Sequence, residues 1–135
     1  MSETIPEGVK NFIFEYIDSV ELLETLLLFY ADPHKTWNFN SLAANLRSNP
    51  RSIEQRCAML ESLKLIQAKS DDPNEYFYKP DQPEVEKVIA QLAEAYRIQR
   101  HRIFALIFSP MKKARDFADA FYLKKSKEKK EDPHG

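Results

Sequence analysis

Between residues 49 and 79 the spacing of the apolar residues changes, and that change limits the fold more than any other stretch of the chain. Asn49-Pro50 opens a helix: the asparagine side chain can accept the first free amide, and proline at the first helical position gives up no bond. Ile53, Cys57 and Leu60 follow at i, i+4 and i+7, so one face of that helix packs inward. Leu65 to Lys69 and Glu75 to Lys79 then read as two short strands, rich in β-branched or aromatic residues and separated by Ser70-Asp71-Asp72-Pro73-Asn74. A two-stranded hairpin is marginal alone, so a helical layer has to cover its apolar side. Alternation sets Phe77 opposite Tyr76 and Tyr78, which makes these aromatics packing residues rather than a base-stacking platform.

The flanks are helical. Val9, Phe12, Ile13, Tyr16 and Ile17 keep the three-to-four-residue spacing of one buried stripe. Asp18 with Glu21 three positions later offers a capping box for a second start, after which Val20, Leu23, Leu27 and Tyr30 continue the face until Asp32-Pro33. Periodicity leaves open whether residues 7–31 form one helix or two. A short extended piece around Trp37 to Phe39 leads to Asn40, the expected cap of a helix carrying Leu42, Ala43 and Leu46.

After Pro83 a stripe of Val85, Val88, Ile89, Leu92, Tyr96, Ile103, Leu106 and Ile107 would run about 34 Å as one straight helix. Gln99 interrupts it and Ile98 projects to the other side. The central unit is too small to cover that length, so the stripe is expected to pack on the N-terminal helices or on a second copy of the chain. Ser109-Pro110 restarts a helix with Ala114, Phe117, Ala118 and Phe121 inward. Leu92, Tyr96, Ile103, Leu106, Phe117 and Phe121 are the expected dimerisation residues.

The reading is a single domain over residues 1–126, mainly α with a small antiparallel β-hairpin. Its core unit spans about 18–80, a helical extension 83–123, and residues 127–135 form a disordered polar tail. Apolar residues at 43% and charged residues at 30% suit a globular chain. Twenty basic against 21 acidic side chains leave a formal charge of -1, so any attraction to nucleic acid has to be local. Residues 1–36 carry net -5 and residues 111–135 net +3, enough to orient a partner.

Several classes of chemistry are excluded. Glycine occurs only at 8 and 135, so neither a phosphate loop nor a dinucleotide fingerprint is available. Cys57 is the single cysteine; it allows no internal disulfide and sits in the apolar stripe, as a small buried hydrophobe does. His34, His101 and His134 are widely spaced, without a second ligand one helical turn away, so no metal site is expected. No nucleophile, base or cofactor pattern is present, and the expectation is a non-enzyme without cofactors. The N-terminal residues Glu3, Glu7 and Lys10 lack the basic start of a secretory signal, and the longest apolar run, Ile103 to Phe108, is too short for a membrane span. A cytoplasmic protein is expected.

The order of three helices and a hairpin, with Asn49-Pro50 starting the third helix, resembles the winged helix-turn-helix domain of bacterial transcription regulators. Leu42-Ala43-Ala44-Asn45-Leu46 looks like their first motif helix, and Asn49 through Leu63 like the helix they set in the major groove. Leu60-Glu61-Ser62-Leu63-Lys64-Leu65-Ile66 resembles the junction into the first wing strand. The match covers about residues 18–80, and the flanking helices resemble those of the MarR and PadR types. Phe117-Ala118-Asp119-Ala120-Phe121 is similar to the end of a group of small bacterial winged-helix proteins, which implies no activity.

The resemblance implies a dimeric DNA-binding transcriptional regulator. Arg51, Ser52, Gln55 and Arg56 would face base edges or phosphates, and Lys69 and Asn74 would reach the backbone from the hairpin. Double-stranded DNA and a second copy are the implied partners, with no membrane. Two departures stand out. Many such proteins have glycine where this chain has Lys64, and lysine in a left-handed turn costs about 1 kcal/mol. The groove helix is also nearly neutral, Arg51 and Arg56 being set against Glu54 and Glu61. The alternative is therefore a non-catalytic adaptor that uses the same fold for protein contacts.

Overall fold

The computed structural model describes residues 4–109. In chain order these form α1 (Glu7–Tyr16), α2 (Val20–Ala31), α3 (Phe39–Leu46), α4 (Pro50–Ser62), β1 (Ile66–Ala68), β2 (Tyr76–Tyr78), α5 (Pro83–Ile98) and α6 (Arg100–Ile107). The expected restart at Ser109-Pro110, the helix after it and the polar tail lie beyond the described residues, apart from Ser109 itself.

The N-terminal stripe is two helices. Ile17 leaves helical geometry at φ -99°, ψ 102°, yet stays fully buried. The second start is not capped by Asp18: the Ser19 hydroxyl accepts the Leu22 amide at 3.1 Å. Glu21 is therefore free of capping, and its carboxylate accepts from Ser48, Ser52 and Arg56 instead. The α3 start likewise differs from the expected one. Asn38, not Asn40, is the cap; its Oδ1 accepts the Ser41 amide at 2.7 Å while Ser41 Oγ accepts the Asn38 amide at 3.0 Å. This reciprocal pair starts the helix early enough for Phe39 to stack on Tyr76, with ring centroids 5.7 Å apart.

The hairpin pairs Ile66 with Tyr78, Gln67 with Phe77 and Ala68 with Tyr76. Trp37 extends it by exchanging two 2.8 Å backbone bonds with Tyr76, so the extended piece before α3 becomes a third rung. Tyr76 and Tyr78 pack on the core and Tyr78 meets Tyr30 edge to face at 6.0 Å. Beneath this flap Ile53, Cys57 and Leu60 are fully buried, as the spacing predicts.

α4 ends in a left-handed residue. Lys64 has φ 63°, with Leu65 N–H donating to the Leu60 carbonyl at 3.0 Å and Lys64 N–H to that of Glu61 at 2.9 Å, the bond pattern that glycine usually closes. Lys64→Gly is therefore expected to raise the unfolding free energy by up to about 1 kcal/mol, glycine's greater freedom in the unfolded chain offsetting part of the gain. A urea midpoint that stays put or falls would contradict this. Arg47, φ 52°, turns the chain between α3 and α4 by the same means.

The long C-terminal stripe is not one straight helix. It breaks at Gln99 (φ -129°, ψ 50°), and α6 folds back against α1. Straight, its distal end would overhang the central unit; bent, it buries Ile103 completely and Ile107 almost so. The bend leaves Gln99 Oε1 buried without a hydrogen-bond partner.

Candidate nucleic-acid interface

At the start of α4 the Asn49 side chain accepts the Arg51 amide at 2.8 Å, and Pro50 occupies the first turn. Arg51 and Gln55, four residues apart, form an exposed ridge. Across from it, Asp72 builds the hairpin loop by accepting the Asn74 amide on Oδ1 and the Glu75 amide on its carbonyl, both at 3.0 Å. Asn74 and Arg51 thereby line one open groove of about 620 Å³, together with Asn38, Asn40, Asn49 and Glu54. Amide side chains can both donate and accept, and Arg51 is the cation among these six. Lys69 is not part of the groove lining; it is half-buried and 3.8 Å from Asp71.

Ser52 and Arg56 sit differently from the outward orientation expected of them. Both are half-buried and turned onto Glu21 of α2. Glu21 Oε1 accepts the Ser52 hydroxyl and Arg56 Nε, the latter at 2.9 Å, and Oε2 accepts the Ser48 hydroxyl. Burial works against the charged carboxyl here. The three donors and the guanidinium charge outweigh it and hold Glu21 below its ordinary value of 4.5. Ser48 has no role in the sequence expectations, and Glu21 enters them only as the capping partner of Asp18. The signal was the four-residue spacing of Ser48, Ser52 and Arg56, a polar stripe beside an apolar one.

The expected dimerisation residues are distributed between interior and surface. Leu92 and Ile103 are completely enclosed by the chain itself and Tyr96 is 8% exposed, because the N-terminal helices α1 and α2, the first of the two expected partners, cover the stripe. The Tyr96 hydroxyl donates to Glu24 Oε2 at 2.6 Å; burial first, then this bond, pushes the phenol up to about 12. Leu106 is half-buried, and Phe117 and Phe121 lie outside the described residues. The large apolar side chains that do face solvent include Ile98 and Phe108.

Among the described residues no group of three or more His, Cys, Asp or Glu side chains is placed to hold a metal ion. Among them, too, no helix is long and apolar enough to cross a membrane.

Two helices joined by a tight turn, the second exposing its N-terminal half and followed by an antiparallel flap, define a winged helix-turn-helix domain. Of the solved structures compared, the one that reaches a TM-score of 0.50 shares this fold. A point mutant of S. aureus MepR matches with a TM-score of 0.50 at 15% identity, over 87% of this chain and 86% of the other. A mutant of S. aureus MepR bound to an oligodeoxyribonucleotide gives 0.48 at 15% identity over 87% and 88% of the two chains. S. aureus MepR bound to ethidium bromide gives 0.47 at 17% identity over 87% and 84%. At such identities the likeness concerns fold alone. No protein-family model and no curated protein matches the sequence.

Proposed function

We propose that the chain is a dimeric winged-helix transcriptional regulator of the MarR type, which recognises double-stranded DNA with α4 and the hairpin. The observation that carries this reading is the shared groove. Arg51 on α4 and Asn74 on the hairpin, far apart in sequence, line the same opening, at the end of the helix that such domains insert into the major groove. Arg51 and Gln55 are exposed and can reach base edges or phosphates. A dimer built through exposed positions such as Ile98 and Phe108, with Leu106, Phe117 and Phe121 contributing, would set the spacing of two half-sites.

The test is binding to a broad library of genomic fragments at two salt concentrations. A complex that weakens as salt rises is expected, because phosphate contacts release counterions. Arg51→Ala is expected to cost about 1–3 kcal/mol of binding. No complex at low salt would exclude the proposal.

A specific observation favours the adaptor as a second reading. Glu21 neutralises Arg56, and Glu54 and Glu61 are exposed, so the α4 surface offers little positive charge. Recovery of one stoichiometric protein partner, unaffected by Arg51→Ala, would support it.

A further inference from the structure

Two hydroxyls and a guanidinium converge on the Glu21 carboxylate from α4 and the turn before it. Every one of these groups donates, and none is needed to hold α4 together: the helix has its own cap at Asn49 and its own apolar face. Serine hydroxyls beside an arginine are the donor set that proteins also use to hold phosphate oxygens. The cluster is not sealed, since the Arg56 and Glu21 side chains retain 29% and 23% of their exposure. It also flanks the exposed Arg51 and Gln55 ridge on the same helix.

We propose that Ser48, Ser52 and Arg56 form a phosphate-oxygen site on the flank of α4, which the chain's own Glu21 carboxylate occupies in the free protein. Glu21 stands in the first turn of α2 and can release the site by turning its side chain toward solvent, where water replaces the three donors. While it is seated, Arg56 is neutralised and α4 presents Arg51 against Glu54 and Glu61. When it leaves, Arg56 adds a second cation to that surface and both hydroxyls become available. That the incoming phosphate belongs to DNA rests on the function proposed above; the site itself needs only an oxyanion. Glu21 is thus an internal competitor, and its removal should strengthen phosphate binding although it weakens the fold.

The experiment has two arms. In the first, melting temperatures of wild type, Glu21→Ala and Glu21→Ala/Arg56→Ala are followed as inorganic phosphate replaces chloride at matched ionic strength. The wild type supplies the general stabilising effect of phosphate. A larger phosphate-dependent rise in Glu21→Ala, abolished in the double variant, is expected; equal responses in wild type and Glu21→Ala overturn the site. Should Glu21→Ala not fold, Glu21→Gln takes its place, with the same expected order against its own Arg56→Ala double variant and the same overturning result.

In the second arm, DNA affinity of wild type and the Glu21 variant is measured against salt. The slope of log affinity on log salt is expected to steepen by about 0.9 per bound copy, one added phosphate contact. Equal or shallower slopes, with both proteins binding, overturn the assignment of that phosphate to DNA. If the first arm is positive and neither protein binds DNA, the regulator reading fails while the anion site stands.

Discussion

Leu60→Ala is expected to lower the free energy of unfolding by about 2–5 kcal/mol, the range for deleting a fully buried leucine side chain. Leu60 has no exposed surface and lies in the last turn of α4, where its carbonyl also receives the Leu65 amide that starts the turn into the hairpin. Alanine removes the side chain shared by helix and flap, and the main-chain bond cannot compensate for the cavity. Domains of this size are stable by about 5–15 kcal/mol, so the loss is a large part of the total. A urea titration measures it directly.

Cys57, one turn earlier on the same face, supplies an independent readout. Burial, and secondarily the charges of Glu61 and Glu54, push its thiol up to about 12, so labelling near neutral pH has to wait for opening. Labelling in Leu60→Ala is expected to be faster than in wild type. An unchanged urea midpoint together with an unchanged labelling rate would mean that the flap does not depend on this contact.

Glu21→Ala is expected to cost about 2 kcal/mol near neutral pH, in the range measured for hydrogen bonds to a charged group. Its carboxylate joins α2 to the turn before α4 and to α4 itself through three donors, and the side chain is mostly screened from solvent. The pH dependence follows from the direction of the shift. A carboxyl whose folded value lies below the ordinary 4.5 stabilises the fold fully above that pH, and the stabilisation is lost as pH falls through the lowered folded value. The stability gap between wild type and Glu21→Gln should accordingly be constant at neutral pH and narrow in acid below about 4.5. Denaturant titrations across that range decide the matter; a gap as wide in strong acid as at neutrality would show that charge on Glu21 plays no part.

Much of the site was legible because it depends on local rules. Asn49-Pro50 announces where α4 begins, and Ile53, Cys57 and Leu60 announce which way it faces; together they put Arg51 and Gln55 outside. The glycine-like position of Lys64 could also be read from the junction, and the chain keeps the left-handed turn despite the side chain. Ser52 and Arg56 were misplaced because helical spacing assigns a direction without naming a partner. Their half-buried flank became a polar cluster only because a carboxylate from α2, distant in sequence, meets it. Glu21 was itself hidden by a plausible capping box with Asp18, a local pattern that Ser19 satisfies instead.

The sequence by itself determined the order of α3, α4 and the hairpin and the inward face of α4, since these follow from periodicity, a cap and turn residues within a few positions of each other, while the breaks at Ile17 and Gln99 were not fixed by spacing. Only the tertiary structure decided how the C-terminal stripe is covered. Periodicity allowed either the N-terminal helices or a second copy to cover it, and the bend at Gln99 returns α6 to α1 and buries Ile103 inside one chain. It also decided that Glu21 restrains Arg56. Both outcomes turn on which surfaces meet across long chain separations, where apolar burial and charge pairing compete globally and no local spacing records the winner.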